Sequence, residues 1–197
     1  MNNKKEKVSS KEVGLEIGLV ISRFLYKTEH LHYGIWPDDL EIIPENVRKA
    51  QDLHSKLIID TIPDNVETIL DVGCGSGGLA EKLVKKGYAV HCVSPSEYLA
   101  DAIEEKLGNK VKVYRSTCQD LQLEQKYDLV IFSESFQYVQ VNQALEKSIE
   151  ALKSDSHLLI CDFFRQPGTG RRPLGGGHGW DWFQNALKDY PFEEITN

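Results

Sequence analysis

Residues 69–78 read Ile-Leu-Asp-Val-Gly-Cys-Gly-Ser-Gly-Gly, an apolar run that ends on an aspartate and turns at once into glycines. The stretch Leu79-Ala80-Glu81-Lys82-Leu83-Val84-Lys85-Lys86 follows at helical spacing. A strand, a glycine-rich turn and a helix in this order open a doubly wound α/β domain. Glycine at 73, 75 and 77 lets the chain turn tightly and lets a ligand approach the backbone with no Cβ in the way. The fold class follows from this unit; the ligand needs a second argument.

Gly73, Gly75 and Gly78 satisfy the G-x-G-x-x-G spacing of dinucleotide sites. Asp71 argues against that reading. A carboxylate two residues before the first glycine sits close to where a pyrophosphate would lie, and two anions in a partly desolvated cleft repel by several kcal/mol. A dinucleotide site also wants an acid at the end of the next strand to hold the ribose, and Ala89-Val90-His91-Cys92-Val93-Ser94 has none. A ligand carrying an ammonium and a sulfonium reverses the sign of the argument, because Asp71 then has a cation to pair with. S-adenosylmethionine is such a ligand.

Along the chain, strands are expected at 67–73, 89–93, 111–115, 128–133 and 157–162. Helices are expected at 77–87, at 97–107 with Ser96 as its cap, and at 142–152. The alternation predicts a mostly parallel sheet with helices on both faces, a Rossmann-like α/β fold. Before it, residues 11–28 carry Val13, Ile17, Val20, Ile21, Phe24 and Leu25 at helical spacing. Pro44 opens a second helix to about Asp60, with Val47, Leu53 and Leu57 expected inward. Residues 1–60 read as a helical cap over residues 61–197, not as an independent domain.

The segment Leu70-Asp71-Val72-Gly73-Cys74-Gly75-Ser76-Gly77 resembles motif I of the class I S-adenosylmethionine-dependent methyltransferases. Val93-Ser94-Pro95-Ser96 is similar to the family's segment after strand 2, and Tyr127-Asp128-Leu129-Val130-Ile131-Phe132-Ser133-Glu134-Ser135 to its strand 4. His32-Tyr33-Gly34-Ile35-Trp36 resembles an N-terminal signature of small-molecule methyltransferases acting on sterols, tocopherols and quinones. The resemblance covers about residues 30 to 165. It implies methyl transfer from S-adenosylmethionine to a small-molecule acceptor by in-line displacement. The sulfide leaves as a neutral group, so the protein mainly aligns the reactants. A non-catalytic S-adenosylmethionine-binding protein is the alternative, and a dinucleotide-dependent oxidoreductase the weaker one.

The same resemblance assigns a cofactor site. Asp71 takes the ammonium, directly or through water, and the backbone of Gly73, Cys74 and Gly75 flanks the methionine portion. The family places an acid for the ribose hydroxyls where this chain has Cys92, so Ser94 or Ser96 is expected to hold the ribose. Thr117, Cys118 and Gln119 fall on the adenine-contact segment, and Ser133 and Glu134 on the methionine side. His32, Tyr33 and Trp36 are expected to close over the methyl group as residues 11 to 36 order on cofactor binding. Phe136 and Tyr138 are candidates for the acceptor wall. His178, in the glycine-rich stretch 166–179 beside Trp180 and Trp182, is a candidate base on a mobile lid, with His32 the other catalytic candidate.

The formal charge of −7 and the small basic clusters, such as Lys85-Lys86 and Arg171-Arg172, argue against a nucleic-acid partner. No run is long and apolar enough for a membrane span, and the polar, Lys-rich start has no signal-peptide character, so a cytoplasmic protein is expected. Cys74, Cys92, Cys118 and Cys161 form no C-x-x-C pair and are expected reduced, with no metal site. The family's final antiparallel strand is missing after the strand-like Phe192–Thr196. The open sheet edge left behind invites a homodimer.

Overall fold

The computed structural model describes residues 10–169 and 177–195. The expectations for Arg171-Arg172, for Gly175-Gly176 and for Thr196 lie outside the described residues. The central sheet has five parallel strands, β1 (Thr68–Val72), β2 (Ala89–Ser94), β3 (Val111–Arg115), β4 (Tyr127–Ser133) and β5 (Leu152–Cys161), in the order β3-β2-β1-β4-β5. Strand order reverses between β1 and β4, and in such sheets ligands settle there, outside the carboxyl ends of the strands. The helices α3 (Gly78–Lys85), α4 (Glu97–Leu107) and α5 (Val141–Ala151) connect them, and Ser96 caps α4 by accepting the Leu99 amide at 3.2 Å.

Apolar residues from both faces of the sheet build two cores. Leu70, Val93, Val130 and Phe132 pack with α5, while Ile69, Cys92, Leu129 and Ile131 pack with α3 and α4. Burial on both faces is why β1 and β4, at the centre, read as apolar runs, whereas the edge strand β3 alternates.

The N-terminal helices depart from expectation in which face they bury. α1 (Ser10–Ile21) continues as a π-helical turn, Ser22–Tyr26, that ends at Lys27 in the left-handed region. Its buried side chain is Leu19, packed on Leu99 and Ala102 with Leu15 and Leu31. Val13, Ile17, Val20, Ile21, Phe24 and Leu25 are exposed. In α2 (Val47–Thr61) the buried face is Ala50, Gln51, His54, Ser55 and Ile58; of the residues expected inward, Val47 and Leu53 are half-buried and Leu57 lies exposed. Polar side chains that find partners occupy the inner face, which apolar periodicity alone does not reveal.

After β5, Phe164–Arg165 (β6) pairs in parallel with His178–Gly179 (β7), and α6 (Trp180–Leu187) follows. Phe192–Ile195 is not a strand. Among the described residues no strand pairs with the outer edge of β5, and no helix is long and apolar enough to cross a membrane.

Candidate functional site

Asp71, the penultimate residue of β1, is fully buried and has no hydrogen-bond partner on either carboxylate oxygen. Burial pushes its pKa up to about 7. A buried carboxylate without a partner is costly, and a cation removes that cost. The turn beyond it runs through Gly73, Gly75 and Gly77, all at positive φ. Val93 O accepts the Gly73 amide at 2.9 Å, which ties the turn to β2. A Cβ on Gly73 would stand 2.5 Å from that of Ser135, whose hydroxyl donates to Val72 O, so glycine is needed there for close packing. A Cβ on Gly75 would meet nothing within 4 Å, and that side of the turn is open space. These features fit the ammonium-bearing end of an S-adenosylmethionine-like ligand.

At the end of β2, Cys92 is fully buried beside Cys74. The Ser94 hydroxyl donates to Ser96 O at 3.2 Å, and the Ser96 hydroxyl donates to Glu12 Oε1 at 2.6 Å. Both serines are therefore engaged within the protein. Sequence reasoning missed Glu12: α1 brings its carboxylate to the strand end that lacks an acid of its own. After β3, Thr117 is turned onto Asp120, donating to Oδ2 at 2.6 Å, and Cys118 is buried in the core. Gln119 is the member of that segment left exposed.

At the end of β4, Glu134 adopts φ 52, a left-handed conformation uncommon for a residue with a side chain. Its amide donates to Cys161 O at 2.8 Å, and its Oε2 accepts the Tyr33 amide at 3.3 Å. Oε1 lies 3.8 Å from His32 Nδ1 and 3.5 Å from His54 Nε2. The His32 and His54 rings are 4.3 Å apart, with His30 another 4.8 Å from His32. Burial, reinforced by the neighbouring histidines and Lys82, lowers His32 to about 2, and burial raises Glu134 to about 7.

Gln51 fixes this cluster. Its side-chain amide donates to His32 O at 2.6 Å and His30 O at 3.3 Å from one turn before His54. Ile35 donates to Ala50 O at 2.9 Å, and Gly34 at φ 81 lies so close that a Cβ would be 2.6 Å from the Ala50 carbonyl carbon. His30, Gln51 and His54 belong to no motif. The signal available in the sequence was the run of polar residues on what becomes the inner face of α2.

The other predicted residues separate. Tyr33 is largely exposed, its ring 5.8 Å from Phe163, and its carbonyl accepts Trp36 Nε1 at 2.9 Å. Phe136 is core, and Tyr138 is exposed. His178 is not on a free loop: its Nε2 faces Val139 O at 2.9 Å and Phe136 O at 3.2 Å, with Phe136 and Trp182 against its ring. A nitrogen held between two carbonyls is a donor, which leaves it unable to accept a proton there.

Residues 69–155 match the sequence model of a family described as a methyltransferase domain. A ubiquinone biosynthesis O-methyltransferase of Rickettsia felis is 27% identical over 72% of this chain and 61% of its own length. That of Rickettsia canadensis is 30% identical over 66% of this chain and 52% of its own. The chain thus spans less than two thirds of the curated relatives it matches. Among solved structures, a geranyl diphosphate C-methyltransferase from Streptomyces coelicolor, crystallised with Mg2+, geranyl-S-thiolodiphosphate and S-adenosyl-L-homocysteine, matches with TM-score 0.76 at 16% identity, covering 96% of this chain and 82% of that one. A cyclase matches with TM-score 0.72 at 18% identity over 90% of this chain and 70% of that one. At such identities the likeness speaks for the fold, which hosts more than one chemistry.

Proposed function

We propose that this chain, whose residues 69–155 match a methyltransferase-domain family, is a class I S-adenosylmethionine-dependent enzyme that transfers a methyl group from that cofactor to a small-molecule acceptor. One observation carries the reading: Asp71, buried with both oxygens unpartnered, beside an open glycine turn at the point where strand order reverses. The cofactor would supply the electrophilic methyl. Asp71 pairs with the ammonium, the Gly73–Gly75 backbone flanks the methionine portion, and Glu12 stands in for the missing ribose acid at β2. The exposed rings of Tyr33, Phe163 and Tyr138 offer an apolar mouth beside Glu134. An apolar acceptor, of the quinone-precursor or isoprenoid kind on which the relatives act, suits that mouth. Glu134 faces this acceptor side, whereas His178 Nε2 is engaged by the Phe136 and Val139 carbonyls. A cytoplasmic setting and pairing of two copies along the outer edge of β5 complete the proposal.

Calorimetric titration with S-adenosylmethionine, S-adenosylhomocysteine and NAD tests the cofactor assignment. Binding of the first two and not of NAD is expected, and preference for NAD overturns it. Methyl-labelled turnover against phenolic and isoprenoid acceptors separates an enzyme from a non-catalytic binder, the second reading.

A further inference from the structure

We infer that His32, His54 and Glu134 form a binding site for one divalent first-row transition metal. The three donor atoms lie within 4.8 Å of one another, and each comes from a different part of the chain: the segment before α2, α2 itself and the turn after β4. Metal–ligand distances of about 2.0–2.1 Å place neighbouring donors of a tetrahedral site about 3.3–3.5 Å apart. The observed separations from Glu134 Oε1 are 3.5 Å to His54 Nε2 and 3.8 Å to His32 Nδ1. His32 Nδ1 is buried without a hydrogen-bond partner. Neutral imidazoles and a carboxylate are what a metal needs. Two nitrogen donors against one oxygen point to zinc, iron or cobalt and away from magnesium or calcium.

The site is held before any ion arrives. Gln51 pins the backbone carbonyl of His32 from the helix that carries His54. The Tyr33 amide occupies Glu134 Oε2 and leaves Oε1 facing the histidines. The left-handed backbone at Glu134 directs that carboxylate off the strand end, and persistent strain of this kind concentrates at functional positions. Cys161 Sγ lies 3.3 Å from His54 Nε2, a further donor beside the group. Three protein ligands with a position left over is the arrangement of sites that bind a substrate atom on the metal. In the methyltransferase reading, the acceptor's oxygen would take that position; this role rests on the proposed function, whereas metal binding does not.

The test uses the full chain, stripped with a chelator and titrated with Co2+ and then Zn2+ in the absence of cofactor. One equivalent of Co2+ should bind with visible ligand-field absorption, and Zn2+ should bleach it. His54→Ala and the isosteric Glu134→Gln should each weaken binding by more than about 100-fold, beyond the 10–100-fold typical of outer-shell changes. His178→Ala should retain the spectrum. A folded wild-type protein that takes up no metal, or uptake unchanged in both ligand variants, overturns the proposal. S-adenosylmethionine titration of the same samples keeps the two ideas apart, since cofactor binding without metal uptake refutes the metal site alone.

Discussion

The backbone amide of Tyr33 donates to Glu134 Oε2 at 3.3 Å, joining residues 101 positions apart. This contact links the segment before α2 to the end of β4, where the sheet's strand order reverses. It satisfies one oxygen of a largely buried carboxylate and leaves the other to His32 and His54. The next residue, Ser135, donates to Val72 O at the end of β1, so the turn after β4 borders both the cofactor candidates and the N-terminal segment.

Asp71→Asn is expected to weaken S-adenosylmethionine binding by roughly ten- to a hundredfold, because a charge-assisted contact is worth about 1.5–3 kcal/mol. Its effect on the cofactor-free protein has the opposite sign. Burial raises the carboxyl from 3.8 to about 7, so the folded state binds this proton more tightly than the unfolded one. The stability it contributes is full below about pH 4 and is lost as pH rises through 7, by at most about 4 kcal/mol. Asp71→Asn should therefore melt higher than wild type at pH 8, with the gain shrinking toward pH 5. Thermal unfolding at several pH values checks this, and a wild-type advantage at pH 8 would contradict it.

Cys92→Asp looks from the sequence like restoration of the family's ribose acid. The structure reverses that expectation. Cys92 is fully buried beside Cys74 and pairs in register with Asp71, so a carboxylate there would sit in an apolar core close to a second acid. It should destabilise the fold by several kcal/mol without tightening cofactor binding. Glu12→Gln should instead lower cofactor affinity several-fold with the sheet intact. Calorimetry on both variants distinguishes the positions; tighter binding by Cys92→Asp would restore the sequence-based view.

The sheet was legible because its central strands carry apolar runs, such as Leu129-Val130-Ile131-Phe132, and motif I alone set the order of events from Ile69 to Lys85. Ser96 was legible as a cap because its hydroxyl precedes the first helical turn. The inner faces of α1 and α2 were not. Leu19, Gln51 and His54 face inward because of what they touch across the fold, while Ile17, Phe24 and Leu57 have the periodicity without the contact. The same reason hid the site: His54 and Cys161 are 107 residues apart, and only the folded chain brings them within 3.3 Å.

His178→Ala is expected to lower stability by about 1–3 kcal/mol, since it strands the Phe136 and Val139 carbonyls that the imidazole serves. Cofactor affinity and the pH profile of methyl transfer should stay unchanged. A lost acidic limb in that profile, with stability preserved, would return His178 to the role of base.

Gly34→Ala tests whether the N-terminal segment positions the acceptor side. The residue sits at φ 81, and a Cβ would lie 2.6 Å from the Ala50 carbonyl carbon and 2.7 Å from the Gln51 nitrogen. Neither is a flexible side-chain end, so the segment must lift from α2. Lifting breaks the Ile35–Ala50 hydrogen bond and withdraws His32 and Tyr33 from Glu134. The backbone strain alone costs roughly 1–3 kcal/mol. Turnover should fall more than tenfold, while affinity for S-adenosylhomocysteine, whose methionine end is proposed to rest on Asp71, should change little. Hydrogen exchange should localise the loosening to residues 28–36. If cofactor also strengthens protection of residues 11 to 36 in the wild type, the segment closes over the ligand; equal protection with and without it would make the segment fixed packing. Unaltered turnover in Gly34→Ala would remove His32 and Tyr33 from the acceptor side altogether.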